Sequence, residues 1–215
     1  MSSDHINGTI LVTGANGGLG VKIVQELINS SHPYYGIFTV RNMSPESTGT
    51  VRQVVSNTKF PHDIVQLDLG SLGLIRAFAK DINSRILAGT IPKIRALVLN
   101  AAVQRLGNLE YTVDGIETVF AVNFLANFLL VLLLLQSMDP ERGRIIIISS
   151  SVHEPGSGLS ALWETNKVLF TDPEIAARPI ENDKLGSGLI NGLRRYSLSK
   201  LLLLMFMYVS IRAIS

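Results

Sequence analysis

The chain contains no cysteine. Disulfides, thiolate metal sites and a cysteine nucleophile are excluded, and the composition leans towards a reducing compartment such as the cytoplasm. Charge is scarce: 17% of residues are charged, with a net charge of +2. A sequence pI near 9.0 comes with no long basic run, so no nucleic-acid partner is expected. The four histidines, His5, His32, His62 and His153, are scattered without metal-ligand spacing, and no metal site is expected. No G-x-S-x-G elbow is present, which argues against an esterase. Also missing is the uninterrupted apolar run of roughly 20 residues that a membrane span needs. The longest candidate, Phe120 to Met138, is broken by Asn123, Asn127 and Gln136, so a buried core helix is the better reading. The start, MSSDHINGTILVTG, has no basic n-region and does not read as a signal peptide. The sequons at Asn7, Asn29 and Asn42 then read as chance matches.

What is present is enough apolar material for one sizeable domain. The chain has 215 residues, 47% of them hydrophobic, and its mean hydropathy is +0.31. Short apolar runs predict strands at Thr9–Thr13, Tyr35–Val40, Ile64–Leu67, Ile94–Asn100 and Arg144–Ser151. Helical spacing predicts helices over Val21–Ile28, Leu72–Leu87 and Val113–Met138. The near-continuous apolarity of IRALVLN and RIIII suits strands of a parallel sheet buried on both faces. Alternation of strand and helix points to an α/β fold with a doubly wound parallel sheet. From Ser151 to Arg195 the rhythm stops. This Gly-, Pro-, Asn- and Asp-rich stretch predicts a long loop at 151–195 within one domain spanning 1–215. Its Trp163, the chain's one tryptophan, is either a lid residue or a local hydrophobic pin.

Thr13 to Gly20, TGANGGLG, falls between the first strand and first helix. Glycines there let the backbone turn tightly and approach a pyrophosphate at a helix N-terminus. An ordinary glycine-rich turn is the plainer alternative. The second strand ends TVRN, with Val40 where an NAD-binding acid would stand and Arg41 next. That favours NADP over NAD, an arginine accommodating the 2′-phosphate, although a solvated arginine at a strand end is also common. Tyr196 and Lys200, four apart, lie on one face of a helix. A phenol titrates near 10 and is a poor base at neutral pH; a nearby ammonium and a cationic nicotinamide stabilise its phenolate.

Taken in order, these residues resemble the short-chain dehydrogenase/reductase family. Thr13, Gly14, Gly18 and Gly20 are similar to its cofactor loop, and Asp68 to its adenine-contacting acid. Asn100–Ala102 resembles its Asn-Ala-Gly, Asn123 its helix asparagine, Ser150 its strand-end serine, and Tyr196/Lys200 its Tyr-x-x-x-Lys. The resemblance implies a Rossmann-type sheet with strand order 3-2-1-4-5. It also implies an NADP-dependent oxidoreductase moving hydride between nicotinamide and a hydroxyl or ketone of a small organic molecule. The flavour is closest to fungal members acting on secondary metabolites.

It implies a catalytic set of Asn123, Ser150, Tyr196 and Lys200. The cofactor set is Thr13, Gly14, Asn16, Gly18, Leu19, Gly20, Arg41, Asp68, Leu69, Asn100, Ala101, Tyr196 and Lys200. In that scheme Tyr196 exchanges a proton with the substrate oxygen and Lys200 holds the ribose hydroxyls. Ser150, chosen over Ser149 and Ser151, donates to the same oxygen, and Asn123 holds a water. Asn123 can equally be read as a buried asparagine bonding across helices. Members pair through two long apolar helices, so a homo-oligomer is implied. The chain departs from the pattern at Ala102, in the long interval from Ser150 to Tyr196, and in stopping where the family continues with at least two more strands. A truncated, non-catalytic nucleotide-binding relative or partner subunit is therefore the competing expectation.

Overall fold

Thr9–Val12, Tyr35–Val40, His62–Gln66, Ile94–Leu99 and Arg144–Ile147 form strands β1 to β5. They run parallel in the order β3-β2-β1-β4-β5. The computed structural model describes residues 6–154, 172–181 and 185–214, except the side chains from 209 onwards. Trp163 lies outside the described residues. Helices are α1 (Gly18–Ile28), α2 (Pro45–Val55), α3 (Leu72–Leu87), α4 (Thr118–Phe120), α5 (Ala126–Leu134), α6 (Pro173–Ala177) and α7 (Leu189–Ile214). The predicted strand order and doubly wound α/β class match what is found.

The chain divides into two compact units. The first, Met1–Asp68 with Gly73–Ala101 and Leu130–Ile148, holds the whole sheet. Its core follows from strand alternation: Ile10, Val12, Phe38, Val40 and Val98 pack with Val24 of α1 and Val51 and Val55 of α2. The second unit is Leu69–Leu72, Ala102–Leu129 and Ser149–Ser215. There Phe120, Ala176, Leu185 and Leu198 form the core. A ladder of Phe120, Phe124, Phe128 and Phe206, with ring centroids 5.4, 6.0 and 5.0 Å apart, ties the central helical stretch to α7.

Four sequence expectations are amended. Helix α2 was not foreseen from periodicity, yet its start carries a capping signal: Ser44 accepts from the Ser47 amide at 3.2 Å, and Pro45 follows. The helix expected from Val113 begins only at Thr118. Gly115, at φ +70°, makes a turn first, and the Glu117 carboxylate then caps the helix by accepting from the Phe120 amide at 2.7 Å. The helix is also not uniform. Residues Ala121–Leu125 form a π-helical turn and Leu135–Ser137 a 3-10 turn. Third, β5 is an edge strand of the described sheet, and Ile146 is 44% exposed, so it is not buried on both faces. Fourth, the segment expected to be loop through Arg195 contains α6, and α7 is already formed from Leu189.

Among the described residues one helical stretch, Thr118–Ser137, is long and apolar enough to cross a membrane; 56% of its window is buried inside the protein. Asn123 and Asn127 within it are buried and hydrogen-bonded, which is the pattern of a core helix.

Candidate functional site

In the first unit the sheet order reverses between β1 and β4, and ligands in open α/β sheets bind beyond the strand ends at such a point. The two strand ends are locked together there. The Thr13 hydroxyl accepts from the amides of Asn100 and Ala101, both at 3.0 Å, and donates to the Val98 carbonyl at 3.3 Å. The Asn100 side chain donates back to the carbonyls of Thr13 at 2.9 Å and Gly14 at 3.1 Å. Gly14 has φ +64°, and a Cβ there would meet Ala101 at 3.0 Å.

The loop then opens α1 in a form suited to an anion. Its N-cap is Gly17, no side chain caps it, and its first turn holds no acid. Among the described residues, the first amides of α1 thus have no helical partner and no N-cap side chain. Asn16, Gly18 and Leu19 are exposed beside them, whereas Gly20 is buried. A Cβ on Gly18 would meet nothing within 4 Å. This cradle fits a dinucleotide pyrophosphate. The Asn16 amide donates to the Ser47 hydroxyl of α2 at 3.1 Å, a partner that only recognition of α2 could have revealed. After β2, Arg41 is largely exposed, with its Nε 3.8 Å from the Asp68 carboxylate. Surface pairs of this kind contribute little to stability.

The second unit holds the remaining candidates. Tyr196 and Lys200 sit one turn apart on α7, with the Lys200 ammonium 5.7 Å from the Tyr196 ring centroid. Lys200 is 3% exposed, and burial pushes its ammonium below the ordinary lysine value. The 3-10 turn Ser151–His153 packs on α7, and Ser150 is its N-cap residue. Asn123, in the π turn, has a fully buried side chain. It accepts from the Val103 amide at 2.8 Å and donates to the Val103 carbonyl at 2.9 Å and the Ser199 hydroxyl at 3.0 Å. Its main-chain carbonyl accepts from the Asn127 amide at 2.8 Å. Both side-chain N–H groups of Asn123 are thus engaged in holding the chain. Leu69, also in this unit, has a buried side chain.

One feature was invisible in the motif pattern. Glu117 and Arg195 form a buried ion pair, Nε to Oε1 3.3 Å, with side-chain exposures of 2% and 1% for Arg195 and Glu117. Burial pushes the Glu117 carboxyl up, against the lowering effect of the Phe120 and Val119 amides and of Arg195.

The family model for short chain dehydrogenases matches residues 8–168. The chain belongs to the short chain dehydrogenase family. The match spans the glycine loop and the sheet as far as β5. Among curated relatives, a short-chain dehydrogenase, iccH, of Talaromyces variabilis is 39% identical over 90% of this chain and 61% of its own length. Retinol dehydrogenase 14 of Mus musculus is 32% identical over 69% of this chain and 45% of its own length. The chain thus spans less than two thirds of these relatives. Of solved structures, the NADPH-bound carbonyl reductase from chicken fatty liver superposes with a TM-score of 0.64 at 23% identity. That alignment covers 97% of this short chain dehydrogenase and 75% of the carbonyl reductase, and shows a shared fold.

Proposed function

We propose that the chain is an NADP-dependent oxidoreductase that interconverts a hydroxyl and a ketone on a small organic molecule, in a single dinucleotide-binding domain. The observation that carries this reading is Lys200, buried on α7 one turn from Tyr196. A buried ammonium is expensive, and such residues gather where chemistry uses them. A bound nicotinamide supplies or takes up the hydride. Thr13, Gly14, Asn16, Gly18, Leu19, Gly20, Asn100 and Ala101 hold its dinucleotide, with Asp68 and Leu69 at the adenine end. Tyr196 exchanges a proton with the substrate oxygen as general acid or base. Lys200 holds the ribose hydroxyls and stabilises negative charge on the phenol oxygen. Ser150 donates a hydrogen bond to the same substrate oxygen. Asn123 acts through others, by holding Val103 and Ser199 in place.

The sequence flavour of fungal members motivates a secondary-metabolite substrate as part of this proposal, and the absence of cysteine a cytoplasmic setting. Met205 and Tyr208 of α7 expose apolar surface suited to a second copy. The test is direct. Purified chain supplied with NADPH and a panel of cyclic and aromatic ketones is expected to oxidise NADPH. Saturable NADPH binding with no turnover on any ketone, or of any alcohol with NADP, would reduce the chain to a nucleotide-binding relative.

Cofactor choice rests on Arg41. Its exposed guanidinium follows β2, where the ribose of the adenosine half is read in sheets of this order. Arg41→Ala is expected to raise the Kd for NADPH about 10- to 100-fold, the worth of a charge-assisted hydrogen bond. The Kd for NADH should change less than about threefold on the same scale. Equal weakening of both, by fluorescence titration, would remove Arg41 from the 2′-phosphate.

A further inference from the structure

Arg195 precedes Tyr196 on α7, and its guanidinium is turned into the protein rather than out. One face of the group donates to the carbonyls of Leu185, at 2.9 Å, and Gly186. The other reaches those of Arg105 at 3.2 Å and Gly107 at 3.5 Å. The remaining nitrogen, Nε, faces the Glu117 carboxylate. Both terminal nitrogens of the fork are thus hydrogen-bonded to carbonyls of two loops, while Nε meets Glu117 through charge alone; a lysine offers no such planar fork. Gly192, one turn earlier on α7, lies so close to residues 105–106 that a Cβ would meet the Arg105 carbonyl at 2.6 Å. Glu117 is itself fixed: its Oε2 caps the helix start at Phe120, and its amide donates to the Ala177 carbonyl at 2.7 Å. Six residues further along the same helical stretch, Asn123 holds the Ser199 hydroxyl. The stretch thus grips α7 at two points, Arg195 and Ser199, and Tyr196 lies between them.

We infer that the buried Glu117–Arg195 pair is a positioning device for Tyr196, fixing the rotation of α7 and the two loops at 105–107 and 185–186 against which that helix turns. This rests on the oxidoreductase reading of Tyr196. A buried ion pair is a poor source of net stability compared with apolar packing, but here each partner is also oriented by its own hydrogen bonds, Arg195 to the carbonyls of two loops and Glu117 to the Phe120 amide. A helix free to rotate by a fraction of a residue step would carry the Tyr196 hydroxyl away from any fixed substrate oxygen, and a displacement near 1 Å costs about 100-fold in rate.

The experiment uses the full chain carrying Arg195→Lys or Glu117→Gln, with Arg194→Lys as a neighbouring control. NADPH titration gives the affinity and the number of binding-competent molecules, and kcat is expressed per competent site. The expected result is a fall in kcat of about 10- to 100-fold for Arg195→Lys. The Kd for NADPH and the ketone KM should stay within about threefold, and Arg194→Lys should behave as the parent. Amide hydrogen exchange, which needs no activity, should quicken at residues 104–109 and 185–200 in Arg195→Lys. Unchanged kcat per site, unchanged exchange, or loss of NADPH affinity in step with kcat would each overturn the inference. So would failure of both variants to fold, since the pair would then be a requirement of folding alone. A parent chain without turnover, but with exchange raised at those segments in Arg195→Lys, would sink the oxidoreductase reading and leave the clamp standing.

Discussion

Tyr196→Phe is expected to lower kcat by about 10²- to 10⁴-fold, the range for removing a general acid or base. The substitution takes away one oxygen and leaves the ring, so packing on α7 should survive. Among the described residues no hydrogen bond is made by the Tyr196 hydroxyl, and the Ser199 hydroxyl donates to the Tyr196 carbonyl, which phenylalanine keeps. NADPH affinity should therefore stay within about threefold of the parent, because an interaction made only in the transition state lowers kcat without weakening ground-state binding. Steady-state kinetics beside fluorescence titration give both quantities. A Tyr196→Phe chain with undiminished turnover would mean that another group moves the proton, and the role given to Lys200 would fall with it.

The second large effect lies in the other unit. Gly20→Ala places a methyl 2.2 Å from the Gly14 carbonyl, 3.0 Å from the Ala15 Cα and 3.0 Å from the Asn100 side-chain nitrogen. Two of these are backbone atoms and cannot swing aside. The third belongs to the amide that holds the Thr13 and Gly14 carbonyls. Relief of the clash must open the lock between β1 and β4. Overpacking of this kind costs about 1–3 kcal/mol, and about 2–4 °C of Tm accompanies each kcal/mol in a chain of this size. A drop of roughly 2–12 °C is therefore expected, together with loss of NADPH binding by two orders of magnitude or more. Gly18→Ala provides the contrast. Its Cβ would meet no protein atom within 4 Å, so Tm should hold while NADPH binding weakens about tenfold, roughly 1.4 kcal/mol. A melt and a titration on each variant separate a glycine required by the fold from one required by the ligand. Equal Tm losses at the two positions would contradict this division.

Much of the scaffold was legible because its signals are local. Strands β1, β2 and β4 are apolar runs read within a residue of their observed ends, and α3 spans Leu72–Leu87 as its periodicity indicates. The glycine loop was legible for the same reason, since a positive φ at Gly14 and close approach at Gly20 both demand the missing side chain. Helix α2 is announced by Ser44 and Pro45 rather than by an apolar stripe, because Pro45–Val55 is mostly polar and its buried face begins with Thr48 before Val51 and Val55. The central helical stretch starts several residues later than its spacing indicates, since Gly115 and the capping carboxylate of Glu117 outweigh the helical spacing that begins at Val113.

The sequence by itself determined a parallel α/β sheet with a dinucleotide-type loop at its first turn, and a tyrosine and lysine on one face of a late helix. Turn chemistry and helical spacing act over a few residues, so they can be read from letters in order. Only the tertiary structure decided that Lys200 is buried, that Asn123 spends its amide on Val103 and Ser199, and that Arg195 turns inward to Glu117. Each of these depends on desolvation and on the meeting of segments far apart in the chain. A charged side chain carries no local mark of whether water or another charge will surround it.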